Sequence, residues 1–329
     1  MLDKSHSILV LESSLVAKIG GSFPTLNNSP DVLQQLLSDK RSPNTRRAYE
    51  KDLQNFFMKM TGFEPTQDRV LEFLHLEQQQ AVMVVLKYKA ELIQAGLKEA
   101  TVNRRLAALK SLVKMGRKLG VCAYTLEDVQ GERVRVYRDT TGVSKEDFSK
   151  LLSTCARFTP VGKRDYALLR LLWSGALRRS EVCQALIKDF DPLTRTLRIL
   201  GKGAGTQYQI VDLGEATTDA ICIYLKTRGK VTLDAPLFVS VDFYRPGHGL
   251  TGDGLTKILK KYCQLAGIKR LSPHRVRHSS ITAALDATGG NIRKVQKLSR
   301  HVDLRTLMIY DDNRQLLQKE MSDLLDSLV

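Results

Sequence analysis

Paired cysteines are missing from this chain. Its five cysteines, Cys122, Cys155, Cys183, Cys222 and Cys263, are scattered through 329 residues with no C-x-x-C pair. That spacing argues against a zinc knuckle and against a secreted disulfide framework, so five reduced, mostly buried thiols are expected. Long apolar runs are missing too. The apolar stretch near the start is short and broken by Glu12, with no signal-peptide pattern. Nothing approaches the ~20 apolar residues that a membrane helix needs. A soluble, cytoplasmic protein with no membrane partner is expected. Internal repeats, low-complexity segments and carboxylate clusters are also absent, and the last of these argues against a metal nuclease. His274 and His278 have a zinc-ligand spacing, but the run lacks the Glu of H-E-x-x-H, and Arg275 and Arg277 would repel a cation. No metal and no cofactor are expected.

Acid is scarce relative to base. Thirty-five Asp and Glu stand against 51 Lys and Arg, a net charge of +16. Such an excess favours a polyanionic partner, of which nucleic acid is the commonest. What remains is ordinary: 43% hydrophobic and 26% charged residues, enough for a real core, on a chain that fits two domains comfortably.

Residues 1–29 are irregular, with Gly20-Gly21, Pro24 and Asn27-Asn28, and read as a mobile extension. Ser42 and Pro43 are a plausible N-cap and first residue of a helix whose buried face is Tyr49, Leu53, Phe56, Phe57 and Met60. Helical stretches follow over 66–76 and 78–95, the latter ended by Gly96. The clearest helix covers 102–119, with Thr101 as its expected cap. Val102, Leu106, Leu109 and Val113 form its apolar arc. Arg104, Lys110, Lys114, Arg117 and Lys118 share another arc of roughly 140° that holds no acid, which suits contact with a DNA backbone. The pattern breaks over 129–142, the expected linker between a helical domain at 30–128 and a second domain at 143–329. Ser144 to Leu152 starts a new capped helix with Glu146 and Asp147 in its first turn. A helix over 163–174 follows. Strands are expected at 195–200 and 207–213 around Gly201-Lys-Gly-Ala-Gly205, with a short one at 236–240, and helices at 215–228, 254–266 and over most of the remainder.

Four segments carry chemistry. In Ser174-Gly-Ala-Leu-Arg-Arg-Ser-Glu-Val182, Arg178 follows a tight turn at a helix start, where its planar fork can meet a phosphate, and Glu181 lies one turn on to hold the guanidinium. Lys202 sits at a hairpin tip whose glycines allow close approach to a backbone or groove. Leu271-Ser-Pro-His-Arg-Val-Arg-His278 opens a helix with His274 and Arg277 on one face, and His278 reads as a structural partner. Leu298-Ser-Arg-His-Val-Asp-Leu-Arg-Thr-Leu-Met-Ile-Tyr310 places Tyr310 nine residues after His301.

In order and spacing, this set resembles the tyrosine recombinases, the phage integrase family. Arg178 and Glu181 match the Leu-Arg-x-Ser-Glu pattern, Lys202 the hairpin lysine, His274 and Arg277 the His-x-x-Arg pair, His301 the histidine before the nucleophile, and Tyr310 the nucleophile. The catalytic resemblance covers about 143–312. The pieces Asn-Thr-Arg-Arg-Ala-Tyr and Thr-Val-Asn-Arg-Arg-Leu, carrying Arg46, Arg47, Arg104 and Arg105, resemble the DNA-contacting core-binding domain. Two positions depart from the pattern: Ser299-Arg300-His301 stands where Leu-Gly-His is usual, and Arg275 where an Asp is common.

The resemblance implies a mainly α protein with a small antiparallel β-sheet: a helical core-binding domain followed by an α+β catalytic domain. It implies a site-specific recombinase acting through a 3′-phosphotyrosine and a Holliday junction on double-stranded DNA, without metal or ATP, and hence an association with the nucleoid. A free tyrosine has a pKa of about 10, so Tyr310 needs a base, and the resemblance assigns that role to His274. Arg178, Arg277 and His301 would bind the phosphate, and Lys202 would protonate the leaving oxygen. After Tyr310, Leu317, Met321, Leu324, Leu325 and Leu328 form an apolar stripe. It packs on its own domain or, as the family suggests, on a neighbouring subunit in a homotetramer bridging two sites. A topoisomerase or telomere resolvase would share the chemistry, and an idle DNA-binding regulator would lack it.

Overall fold

The computed structural model describes residues 30–134, 143–201, 205–241, 247–314 and 317–328, the side chains of 309, 311–314 and 317–320 excepted. The chain divides into two compact units, Met1–Val136 and Tyr137–Val329. The fold is mostly helical, with one small antiparallel sheet among the described residues.

Among the described residues the first unit has five helices: α1 (Val32–Ser38), α2 (Pro43–Thr61), α3 (Gln67–Leu74), α4 (Gln78–Gln94) and α5 (Glu99–Lys118). Side chains satisfy the orphan amides at three of their starts. Asp31, Ser42 and Thr66 accept from the backbone N–H groups of Gln34, Thr45 and Arg69. Pro43 opens α2 as expected, and Gly62 closes it at φ +80°, a left-handed conformation that glycine adopts without strain. Thr101 does not cap α5. The helix begins three residues earlier, after Lys98, which makes no side-chain cap bond. The apolar periodicity shows which face is buried but leaves the first turn unmarked.

The core of this unit centres on an aromatic cluster. Phe56 meets Phe57, Phe73 and Tyr88 edge to face at 5.1–5.2 Å between ring centroids. Val102, Leu106, Leu109 and Val113 of α5 are all buried against it. A fully buried side chain of this size contributes about 1.5–3 kcal/mol. The expected linker is tied to this unit at its start. Val129 is buried, Asn103 exchanges two hydrogen bonds with the backbone of Glu132 (2.6 and 2.8 Å), and Lys89 reaches the Gln130 carbonyl (2.9 Å). Most of its remainder, 135–142, falls outside the described residues.

The second unit runs through α6 (Lys145–Ser153), α7 (Pro160–Ser174), α8 (Arg179–Gln184) and a 3-10 turn (Ile187–Asp189) to the sheet β1 (Phe190–Asp191), β2 (Thr196–Leu200) and β3 (Tyr208–Asp212). It continues through α9 (Glu215–Lys226), α10 (Gly252–Ala266), α11 (Pro273–Ala287), α12 (Ile292–Ser299), α13 (Arg305–Arg314) and α14 (Leu317–Asp326). The sheet order is β1-β2-β3, antiparallel throughout, with Leu197 opposite Val211 and Ile199 opposite Gln209. Both hairpin strands lie where expected, whereas β1, two residues long, carries no periodicity to detect. The strand expected at 236–240 is not formed. That stretch makes only single bridges, Leu186 to Pro236 and Val239 to Gly249, and Pro236 has no N–H to extend a ladder.

Helix α7 starts at Pro160, where Thr159 accepts from the Gly162 amide at 3.0 Å. A Cβ on Gly162 would lie 2.0 Å from the Ala156 carbonyl oxygen, so only glycine fits there. Helix α7 then threads the main core, with Ala167, Leu168, Leu169, Leu171 and Leu172 all buried. A smaller, separate cluster joins Ala176, Ile281, Leu285, Val295, Leu307 and Tyr310. It lies next to the polar constellation of this unit.

Candidate active site

The turn between α7 and α8 presents Arg178. Gly175 ends α7, and Ala176 then adopts φ +43°, a left-handed conformation that costs a non-glycine residue roughly 1–2 kcal/mol. Arg178 itself occupies the N-cap position of α8. Its backbone N–H donates to Glu181 Oε2 (2.8 Å) and its Nη1 to Glu181 Oε1 (2.7 Å), with 27% of its side chain exposed. Two donors of one arginine therefore fix both oxygens of one carboxylate, as the sequence pairing of Arg178 with Glu181 anticipated.

Glu181 is fully buried and accepts a third bond at Oε2, from Arg300 Nη2 (3.1 Å). Burial pushes its carboxyl pKa up, but the Arg178 amide and the guanidiniums of Arg300 and Arg178 outweigh that and hold it below the usual range. Arg300 closes α12 in the left-handed conformation, φ +57°, and its guanidinium also donates to the carbonyls of Leu298 (2.7 Å), Gly175 (3.1 Å) and Ala176 (3.3 Å).

Arg277 projects from α11 into the same region and is buried. It donates to the carbonyls of Ala176 and Ser299, and its Nη2 lies 3.3 Å from His301 Nε2. Burial, and then the charges of Arg178 and Arg300, push its pKa down to about 10, so it stays cationic at neutral pH. Three guanidiniums thus gather around one carboxylate. The surplus charge suits an anion with several oxygens, and forked donors suit a phosphate.

His274, on the exposed side of α11, meets His278 one turn on, Nε2 to Nε2 at 2.7 Å. One ring must donate and the other accept, so this contact couples the proton positions of the two rings. His278 also packs on Tyr310, with centroids 4.8 Å apart, and His301 lies 6.1 Å from the same ring. Tyr310 is 2% exposed, seated in the small cluster beneath the arginines. Arg178, Glu181, His274, Arg277, His301 and Tyr310 therefore lie in one connected region. Lys202 lies outside the described residues.

Two residues exceed their expected parts. Arg300 stood out in the sequence only as a departure at one position, and it proves to be a third guanidinium of the cluster. His278 bridges His274 and Tyr310. Its signal was the four-residue spacing from His274, weighed as a metal pair. Among the described residues no three His, Cys, Asp or Glu side chains gather as a metal site would require.

The expected DNA-facing cations of the first unit divide into two sets. Arg104 donates to the buried Asp52, and Arg105 bonds Asn55 Oδ1 and lies 3.9 Å from Asp52. These two are braced against the helix beneath. Arg46 reaches the Lys40 carbonyl (2.7 Å) and Arg47 bonds Asn44 (2.7 Å), both on the surface. Lys114, Arg117 and Lys118 are exposed on α5 and Lys110 is partly so, with no carboxylate within ion-pairing distance among the described residues. In the second unit, the tail helix α14 exposes Met321 (52%), Leu324 (50%) and Leu325 (58%), and Leu328 (73%) follows it. No described helix is long and apolar enough to cross a membrane.

Comparisons with known proteins agree with this anatomy. The phage integrase family pattern matches residues 142–316, over half of the chain, and the N-terminal SAM-like domain of phage integrases matches 33–118. A tyrosine recombinase of Synechococcus elongatus is 48% identical over 326 residues, covering 99% of both chains. One of Synechocystis is 48% identical over 312 residues, 93% of this chain and 99% of that one. Among solved structures, XerH recombinase bound to a palindromic difH substrate in a post-cleavage complex superposes with a TM-score of 0.61 at 19% identity, covering 90% of this chain and 95% of that one. A lambda integrase dimer bound to a COC′ core site gives 0.61 at 13% identity, over 86% and 94%. At such identities these two share the fold, while the near-full-length relatives and the domain matches place the chain by descent. It belongs to the phage integrase family, the tyrosine recombinases.

Proposed function

We propose that this chain is a site-specific DNA recombinase that cuts and rejoins strands through a 3′-phosphotyrosine intermediate and a Holliday junction. The carrying observation is the packing of three guanidiniums around one buried carboxylate, with His301 beside Arg277 and the Tyr310 ring beneath. A carboxylate of a single negative charge leaves that cluster net positive. The cluster therefore complements the oxygens of a phosphodiester and, better still, the extra charge that develops on them in the transition state.

In this reading Arg178 and Arg277 bind the non-bridging oxygens and His301 adds a hydrogen bond. His274 takes the Tyr310 proton, and its contact with His278 orients its ring for that task. The phenolate oxygen attacks phosphorus, the bond to the 5′ oxygen breaks, and Lys202 returns a proton to the leaving oxygen. The ester energy stays in the protein–DNA link, so religation needs no ATP. DNA is the proposed partner, supported by the +16 charge and by the unpaired cations of α5.

The apolar stripe of α14, exposed in the single chain, supports docking onto a second copy and a homotetramer bridging two sites. Deleting 316–329 is expected to weaken pairing of two sites more than binding to one; equal losses in gel-shift titrations would count against it.

The direct test is to trap covalent complexes on genomic fragments with wild-type protein and Tyr310→Phe, in EDTA, and to sequence the attached DNA. A recurrent attached sequence with wild type and none with Tyr310→Phe is expected. An adduct that survives the substitution would remove Tyr310 as the nucleophile.

A further inference from the structure

Helix α12 ends on Arg300, whose side chain turns back from solvent into the base of the site and is only 9% exposed. Its left-handed backbone, φ +57°, is one that glycine adopts freely and arginine at a cost of roughly 1–2 kcal/mol. Something must offset that cost. The guanidinium supplies it through donors to the carbonyls of Gly175, Ala176 and Leu298 and to Glu181 Oε2. Three of these four acceptors belong to the segment that presents Arg178. Ala176, the other left-handed non-glycine residue in that segment, is thereby held from two sides, because Arg277 donates to the same carbonyl.

We propose that Arg300 is a positioning residue for the anion-binding cluster. Its fork clamps Glu181 and the 175–176 carbonyls, so that Arg178 is presented in a single orientation while His301, the next residue, is fixed by the same turn. The role rests on the reading of Arg178, Arg277 and His301 as the phosphate-binding groups. Glu181 without Arg300 would keep only the backbone N–H and the guanidinium of Arg178 as donors to its side chain, and the Arg178 guanidinium would be less firmly directed. With Arg300 in place, Glu181 Oε2 is held by a second residue, and the remaining Arg178 donors have a fixed direction. Misplacement of a binding group by about 1 Å costs on the order of 100-fold in rate.

Arg300→Gly and Arg300→Lys in the full chain separate this role from bulk stability. Glycine suits the local φ, so its backbone is relieved rather than strained. Lysine keeps the charge but cannot span several acceptors with a planar fork. Two readouts apply: calorimetric affinity of the DNA-free protein for inorganic phosphate at low salt, and the single-turnover rate of adduct formation on the duplex recovered by adduct sequencing. Both variants are expected to bind phosphate at least about tenfold more weakly and to form adduct about 100-fold more slowly, with duplex affinity within about twofold. Wild-type values in Arg300→Gly would overturn the clamp, and full recovery in Arg300→Lys would do the same by showing that charge alone suffices. If no protein–DNA adduct forms even with wild type, the recombinase reading fails, while the phosphate affinities still decide the clamp.

Discussion

Each unit of this protein buries one carboxylate beneath two arginines, and the two arrangements end differently. In the first unit Asp52 of α2 holds Arg104 and Arg105 of α5, with Asn55 sharing Arg105. The acceptors nearly match the donors, and the arginines fasten one helix to another. In the second unit Glu181 holds Arg178 and Arg300, and a third guanidinium, Arg277, is held by carbonyl dipoles and no carboxylate. There more positive charge is left in excess. The same ingredients make a brace where one positive charge is in excess and an anion site where two are.

The widest expected contrast is in chemistry. Tyr310→Phe is expected to abolish adduct formation while leaving duplex affinity within about twofold, since only a hydroxyl is lost; gel shifts and denaturing gels read both. No substitution at Asp52 should have that effect. Next comes stability. Glu181→Ala strands two arginines in a buried setting and is expected to cost about 3–5 kcal/mol in urea unfolding of the full chain. Asp52→Ala is expected to cost less, about 1–2 kcal/mol, because Arg104 is half exposed and can turn to water. Equal costs would erase the distinction between brace and site.

Glu181 also sharpens the comparison through pH. The Glu181 pKa is held below its unfolded value of about 4.3. Its stabilising contribution is therefore complete above that value and is lost as pH falls through the lower folded one. Urea midpoints of wild type should fall more steeply between pH 5 and 3 than those of Glu181→Gln. The smallest expected effect is on DNA affinity. Lys114→Ala and Arg117→Ala should each weaken binding uniformly across sequences and lower the salt slope by about one, whereas Arg104→Ala should act chiefly through stability.

Much of this was legible from the chain alone. Ser42-Pro43 marked the start of α2, the glycine-rich turn at 201–205 located both hairpin strands, and the order of Arg178, His274, Arg277, His301 and Tyr310 anticipated a cluster that the fold brings together. The failures share a cause. A helical wheel of α5 sees five cations and no acid, because the acid that takes Arg104 lies 52 positions earlier on another helix. The 236–240 segment has strand-like residues, but pairing depends on partners that periodicity does not reveal. Arg300 read as a local oddity because its acceptors lie about 120 residues away.

Tyr310 is seated among Ala176, Ile281, Leu285, Val295 and Leu307. Under the proposed mechanism, this lodging acts as a clock as well as a foundation. A ring only 2% exposed is out of reach of stray electrophiles and of unpaired DNA ends. Each ~1.4 kcal/mol needed to draw the ring out lowers the reactive fraction tenfold. Trimming Leu307 to alanine would shorten that wait at the expense of cohesion. The protein's restraint when no proper target is present is then written in the packing of one short helix, in residues that never touch the phosphate.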